Sequence, residues 1–244
     1  MDQVRRSRSA MLSGLVLLLL LSGCMYSGQD SRQQAGGYRE SVKRVQAAVD
    51  DYQAGEGLLP ILTSDEMTPR YEKFVVDLDR LQQDGYLDEI PSAAFEKGGS
   101  AYFLILNEES DPVVKLMDLV TVQKVNDLQR QVNLYKSAHG GELPAREEIY
   151  PGLYAVDTGK AGTEPVKLNS VYSGQQLPFM MDKAGNVYAD YAADIISAIG
   201  HNGSTPEAGR DLRLELEAAS YYVPVKSLPY LWIGGNPVAQ APLE

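Results

Sequence analysis

The feature that most constrains the fold is an apolar spacing that occurs twice, 83 residues apart. Its steps are three, four and three residues, and its members are Val42, Val45, Val49 and Tyr52 in the first stretch and Val125, Leu128, Val132 and Tyr135 in the second. Residues at this spacing share one face of an α-helix. Glycine and then a Leu-Pro pair follow each stretch, which is typical of a helix end. The sequence therefore predicts two amphipathic helices in equivalent positions.

A β-hairpin is predicted after each of these helices. Short apolar runs at 101–106 and 178–181 are each followed by a polar turn and a return strand, at 113–117 and 187–189. Asp118 and Asp190 then stand where the next helices begin, a position that favours aspartate. We therefore expect an α+β fold with two helix-then-β-hairpin units in tandem duplication, over residues 38–117 and 118–190.

The remaining segments are less regular. Thr68-Pro69 and the apolar residues up to Leu81 predict a helix that ends at Gly85. The second unit has extended pieces at 153–156 and 166–168 instead. Residues 191–244 are predicted to contain helices at 191–199 and 206–219, followed by an irregular strap in which Trp232 and Ile233 dock on the body.

The N-terminus is typical of an export signal. Three arginines precede an apolar run from Ala10 to Leu21, which is shorter than the roughly 20 residues of a membrane-spanning helix. The run ends in Leu21-Ser22-Gly23-Cys24, which resembles the lipobox of bacterial lipoproteins. The resemblance implies lipidation of Cys24, cleavage between Gly23 and Cys24, and removal of a signal peptide at 1–23. The expected location is the extracytoplasmic face of the cell membrane, to which the lipid anchor on Cys24 attaches the chain.

Residues 24–37 are rich in Ser, Gly and Gln and are predicted to be a flexible tether. Loss of residues 1–23 removes three Arg and one Asp, which leaves 19 basic and 32 acidic residues and a net charge of -13. A body this acidic is not expected to bind nucleic acid.

No catalytic or metal-binding pattern is visible in the predicted mature chain. It has one cysteine, two histidines (His139 and His201) and no GxSxG sequence. His139 is interpreted as a helix cap and His201 as a loop residue. The segment at 182–186 lacks the alternating acidic ligands of a calcium loop and is interpreted as a hairpin turn. Neighbouring carboxylates, such as Glu147-Glu148, are interpreted as solvated surface charge. We therefore expect no enzyme activity, no metal and no cofactor.

Tyrosine accounts for 15 of the 20 aromatic residues. Tyrosines at the edge of the core would explain this content, because they bury the ring and leave the hydroxyl in water. A surface for stacking ligands is the alternative, and its candidate ligand-facing aromatics are Tyr154, Tyr172, Tyr188 and Trp232.

The stretches Val122-Gln-Lys-Val-Asn126 and Tyr172-Ser-Gly-Gln-Gln-Leu-Pro178, together with the lipobox, resemble an uncharacterised family of Gram-positive cell-envelope lipoproteins. The resemblance implies a lipid-anchored protein with a non-enzymatic binding or structural role and an envelope protein as its partner. The alternative hypothesis is a ligand-binding lipoprotein of the solute-binding type that works with a membrane transporter. A pocket lined by tyrosines and carboxylates between the two units would favour this alternative.

Overall fold

The first predicted helix is present and is longer than expected. A computed structural model describes residues 29–203 and 205–242, with the side chains described from residue 37 onward. Helix α1 spans Gln29–Glu56, so it begins inside the segment predicted as a tether, where Gln, Arg and Ala are compatible with a helix. The stripe from Val42 to Tyr52 is buried, as its spacing predicts.

The helix predicted after Thr68-Pro69 is wrong as a single element. A 3-10 turn at Arg70–Glu72 and a short helix, α2, at Leu78–Gln83 take its place. Phe74 lies between them with a φ of 54°, which no helix permits. Val75 and Val76 are extended and form isolated bridges with Leu104 and Ile61. Pairing of these β-branched residues has overridden the helical spacing.

The first β-hairpin is confirmed. Strands β1, Ala101–Leu106, and β2, Val113–Asp118, are antiparallel. Helix α3, Leu119–Ala138, begins directly after β2. The predicted cap is also confirmed, since the Asp118 carboxylate accepts hydrogen bonds from the backbone N–H and the hydroxyl of Thr121 at 2.8 and 2.6 Å.

The second unit contains a four-stranded antiparallel sheet in the order β3-β4-β5-β6. Its strands are β3, Ala145–Tyr150; β4, Leu153–Val156; β5, Phe179–Asp182; and β6, Val187–Ala189. The predicted hairpin and the extended piece at 153–156 are confirmed. The piece predicted at 166–168 forms no strand, and β3, which carries exposed charges at Arg146, Glu147 and Glu148, was not predicted.

One contact occurs in both units and supports their duplication. In the first, Gln46 Oε1 accepts from the Val114 N–H at 2.7 Å, and its Nε2 donates to the Pro112 carbonyl at 3.0 Å. In the second, Gln129 makes the equivalent bonds to the Val187 N–H and the Gly185 carbonyl, at 2.7 and 2.8 Å.

The two glutamines occupy the same column of the repeated helical sequence, between the first and last apolar positions of each stripe. Each therefore fastens its helix to the return strand of the hairpin in its own unit through the same pair of backbone groups.

The C-terminal part contains more regular structure than predicted. Helix α4 spans Ala192–Asn202, close to the prediction. Helix α5 covers only Arg213–Ala219, so the prediction of helix from residue 206 is wrong. The end of the predicted irregular strap forms a hairpin of β7, Tyr230–Ile233, and β8, Asn236–Ala239. Trp232 packs against the main core as predicted, whereas Ile233 is half exposed beside the Gly234-Gly235 turn.

The segment from Tyr221 to Lys226 joins both units. The Val223 N–H donates to the Leu116 carbonyl on β2, and the Ala189 N–H on β6 donates to the Lys226 carbonyl. Val223 and Val225 complete a core cluster with Tyr71 and Leu104. Residues from Val42 onward form one compact unit.

The α+β class is confirmed. No helix in the described part of the chain is long and apolar enough to span a membrane.

Candidate functional site

Helix α4 carries the most unusual polar group in the described structure, the carboxylate of Asp194. The residue lies in the first turn of α4, where the helix dipole favours a negative charge. It is 3% exposed, on the same buried face as Ile195 and Ala198. Its Oδ2 accepts a 2.7 Å hydrogen bond from the Ser170 hydroxyl. Its Oδ1 is also buried and has no hydrogen-bond partner among the described residues.

Ser170 connects this carboxylate to the loop at residues 170–174, which we call the wall loop. While its hydroxyl donates to Asp194, its oxygen accepts from the backbone N–H groups of Tyr172 and Ser173, at 3.0 and 3.3 Å. The Gly174 N–H donates to the Ser170 carbonyl and closes the turn. The buried carboxylate and the conformation of the wall loop are therefore coupled through one serine.

A cavity of about 620 Å³ lies between the wall loop, α4 and α5 and is lined in part by Asp194. Its apolar lining comes from Val171, Ala198, Leu216 and Ala219, and its polar lining includes Ser173, Ser197, His201 and Asn202. None of the described residues that line it is lysine or arginine. Among the described residues, the lining thus combines apolar and polar groups with one buried carboxylate and no lysine or arginine.

The other polar groups of the lining add hydrogen-bond acceptors. His201 Nδ1 lies 2.7 Å from the Ser197 carbonyl, so in the neutral ring Nδ1 carries the proton and Nε2 is an acceptor. Burial raises the pKa of Tyr172 well above its usual value, with smaller contributions from neighbours that include Tyr191 and Asp194. Tyr172 therefore keeps its proton, which it donates to the Tyr222 carbonyl at 3.2 Å. The arrangement suits a ligand that donates hydrogen bonds.

The junction between the two units is lined by tyrosines and carboxylates but is largely occupied by ion pairs. Tyr71 of the first unit donates a buried hydrogen bond to Glu217, and Arg70 lies 3.4 Å from the same carboxylate. Lys226 pairs with Glu72 at 2.8 Å. A cavity of about 250 Å³ lies there, and its lining includes Arg70, Glu72 and Lys226, which form these ion pairs.

The four aromatic residues predicted to face a ligand do not form one surface. Tyr172 lines the Asp194 cavity, whereas Tyr188 lines the groove at the junction and donates to Asp182 at 3.1 Å. Tyr154 lies partly buried on β4, and Trp232 packs on the main core. Of the other predicted site residues, Gly23 and Cys24 lie outside the described residues.

The hairpin-turn interpretation of residues 182–186 agrees with the structure. Both oxygens of Asp182 accept hydrogen bonds, from the backbone N–H and the side-chain amide of Asn186 at 2.8 Å each. In the part of the chain that the structure describes, no group of three or more His, Cys, Asp or Glu is placed to hold a metal ion.

The prediction for His139 is confirmed, and the prediction for His201 is wrong. His139 is at the C-cap of α3, where its backbone N–H donates to the Tyr135 carbonyl, as predicted. His201 was predicted to lie in a loop, but it belongs to the last turn of α4, which continues to Asn202.

Asp194 and Ser170 were not predicted as site residues. A signal for Asp194 was present, because an aspartate on the same helical face as Ile195 and Ala198 is forced into an apolar environment. Ser170 carries no comparable signal, since its contact depends on a partner 24 residues away.

Comparison with known proteins gives one match. No curated protein and no solved structure matches the chain. A family model, described as the YphF family N-terminal domain, matches residues 38–118. This range contains the first helix-and-hairpin unit and ends at Asp118, the last residue of β2. Over these residues the chain therefore contains a YphF family N-terminal domain.

Proposed function

We propose that this chain is a lipid-anchored protein of the extracytoplasmic face of the cell membrane and that its body has a non-enzymatic role, the binding of a small molecule. The anchor is proposed on the sequence Leu21-Ser22-Gly23-Cys24. Two or three acyl chains there would hold the protein stably at the membrane, because each buried CH₂ contributes about 0.8 kcal/mol. In this proposal a membrane transporter receives the molecule that the body binds.

The observation that carries the binding role is the cavity at Asp194. Its volume of about 620 Å³ lies within the range of small-molecule sites, roughly 300–1,000 Å³. Its lining combines apolar side chains with hydroxyl, amide, imidazole and carboxylate groups, so it offers both contact area and polar groups that can orient a ligand. A buried polar atom without a partner costs free energy, about 1–3 kcal/mol, and a ligand that satisfies it recovers that cost on binding.

The junction between the units is a weaker candidate for the same role. Its arginine and lysine side chains contact Glu217, Asp211 and Glu72, so a ligand would have to displace existing ion pairs. Its volume of about 250 Å³ is also below the usual range for small-molecule sites. The ion pairs of Arg70 and Lys226 are better explained as contacts that hold the first unit to the C-terminal part.

The anchor is tested by Cys24→Ser in the full chain. We expect the variant to move from the membrane fraction to the soluble extracytoplasmic fraction and to lose incorporation of an alkyne-tagged fatty acid. Ser27→Ala, close by in the predicted tether, is the matched control and should change neither result. Retention of the Cys24→Ser protein at the membrane would contradict the proposed anchor.

The binding role is tested by identifying what the protein carries. The full chain is purified from its native membrane in mild detergent, and small molecules released on denaturation are identified by mass spectrometry. Ala219→Trp, at an exposed position of the cavity lining, should abolish the co-purified molecule. Ala138→Trp, at the exposed end of α3 and outside that lining, should not.

Crosslinking in intact cells tests the alternative, in which the body binds an envelope protein. Recovery of a protein crosslinked at the mouth of this cavity, with no small molecule that Ala219→Trp displaces, would replace the small-molecule role by binding of an envelope protein.

A further inference from the structure

We propose that the cavity at Asp194 selects a small organic cation, a primary ammonium group attached to an apolar body. This inference rests on the proposed binding function and specifies the chemistry of its ligand. It starts from the most costly feature of the cavity, a 3% exposed aspartate whose Oδ1 has no partner among the described residues.

The charge of the lining favours a cation. Asp194 brings a carboxylate, and none of the described lining residues is lysine or arginine. A carboxylate in a water-poor environment attracts a cation more strongly than one at the surface, because the local dielectric constant is lower. An anionic ligand would find no lysine or arginine among the described residues of this lining.

The apolar part of the lining favours an organic cation over a bare metal ion. Val171, Ala198, Leu216 and Ala219 present carbon surface, which a hydrated inorganic ion cannot use. Calcium is bound in proteins by several carboxylate and carbonyl oxygens, and the described lining of the cavity offers a single carboxylate. A primary ammonium group has three N–H donors, enough to reach Asp194 Oδ1 and neighbouring hydroxyl oxygens.

The wall loop gives the cation access to the carboxylate. Oδ1 is buried, so we expect an ammonium group to reach it only after a local movement, and the wall loop, which is bonded to the other oxygen of Asp194, is the part that we expect to move. Ser173 and Gly174 are exposed, and the loop is fastened to Asp194 through the single Ser170 hydroxyl. Binding at Oδ1 and a shift of the wall loop are therefore expected to occur together.

Three probes of nearly equal shape and different charge test the proposal: 2-phenylethylamine, 2-phenylethanol and 3-phenylpropanoate. Each is titrated into the detergent-purified full chain, with the melting temperature and the dissociation constant as readouts. We expect the amine to raise the melting temperature in a saturable manner and the alcohol and the carboxylate to bind at least about tenfold more weakly, as expected for loss of a hydrogen bond to a charged group.

Asp194→Asn separates a binding role from a structural one. It keeps the shape of the side chain and an acceptor for Ser170, so we expect amine affinity to fall at least about tenfold while the melting temperature without ligand stays equal or rises. A purely structural carboxylate would show the reverse, a lower melting temperature. Asp127→Asn, on α3 and outside the lining, is the matched control and should leave amine binding unchanged.

The outcomes distinguish this inference from the function on which it rests. A neutral or anionic co-purified molecule that Ala219→Trp displaces would overturn the cation and leave the binding function in place. Stabilisation by calcium or sodium chloride alone, with no effect of the amine, would also overturn the organic cation. Absence of any displaceable molecule or probe would contradict both proposals.

Discussion

At the scale of single residues, close approach of two backbone segments requires glycine at position 99, a requirement that the sequence alone does not show. A Cβ atom at Gly99 would lie 2.1 Å from the Ala93 carbonyl oxygen, far inside van der Waals contact. The close approach exists because the Gly99 N–H donates to the Ala94 carbonyl and the Ala101 N–H donates to the Ala93 carbonyl, just before β1. Glycine is therefore required there by space and not by a positive φ.

Gly99→Ala should lower the free energy of unfolding by about 3 kcal/mol or more, because backbone atoms must move to make room. Gly200→Ala is the matched substitution, since Gly200 lies inside α4 with open space around its Cβ position. It should stabilise the chain by about 0.5–1 kcal/mol through helix propensity. Urea denaturation measures both changes, and equal effects of the two would contradict the close approach.

At the scale of elements, the same side chain fastens a helix to a hairpin in each unit. The amides of Gln46 and Gln129 each join one N–H and one carbonyl that are two residues apart on the facing chain. Burial of the apolar stripe brings helix and hairpin together without fixing their relative position along the helix axis. The paired hydrogen bonds supply that position, because they require a particular glutamine to face a particular turn.

Gln46→Leu and Gln129→Leu should each lower the free energy of unfolding by about 1–3 kcal/mol, because each leaves a backbone N–H of a return strand without its partner. The two losses should be similar, since the broken bonds are equivalent. Gln123→Leu, at an exposed position of α3, should change stability by less than about 0.5 kcal/mol. A large loss in one unit and none in the other would contradict an equivalent role for the two contacts.

At the scale of the whole molecule, the tyrosines connect segments that are far apart in the chain, and these hydroxyl contacts account for several of the tyrosines. Tyr230 and Tyr150 donate to Asp190 at 2.8 and 3.0 Å, and Tyr191 donates to the Val225 carbonyl at 3.1 Å. Tyr71 donates to Glu217 across the junction. Each ring contributes to a core while its hydroxyl bonds to a polar group of another segment.

This arrangement predicts loss of stability at alkaline pH. Burial is the largest cause that raises the pKa of six tyrosines: Tyr71, Tyr150, Tyr172, Tyr188, Tyr191 and Tyr230. Below the unfolded-state pKa of about 10, the folded and unfolded states both keep these protons, and the contribution of the tyrosines to stability is fully present. Above it the unfolded state loses protons first, so stability falls as pH rises, by up to about 1.4 kcal/mol per pH unit for each tyrosine.

Urea denaturation between about pH 8 and about pH 11, with tyrosinate absorbance as a second signal, measures this effect. The lowered pKa of Lys115, caused by burial, acts in the opposite sense but belongs to a single group. Ionisation of all tyrosines near pH 10, about their ordinary pKa, without loss of the fold would contradict the prediction.

The sequence by itself determined the features that depend on local spacing. The stripes from Val42 and from Val125 predicted α1 and α3, and short apolar runs around turns predicted the hairpin strands β1, β2, β5 and β6. The cap at Asp118 was predictable for the same reason, since it needs only the backbone three residues ahead. These features are local because helix and strand periodicities are short.

Only the tertiary structure decided the remainder, because it depends on partners far apart in the chain. The helical spacing after Thr68 was overridden by pairing of Val75 with Leu104, and β3 forms on a charged sequence because β4 offers a partner. The candidate site also depends on partners that are far apart in the chain. Asp194 could be recognised as an aspartate on an apolar helical face, but its bond to Ser170 and the cavity beside α5 exist only once distant segments are packed together.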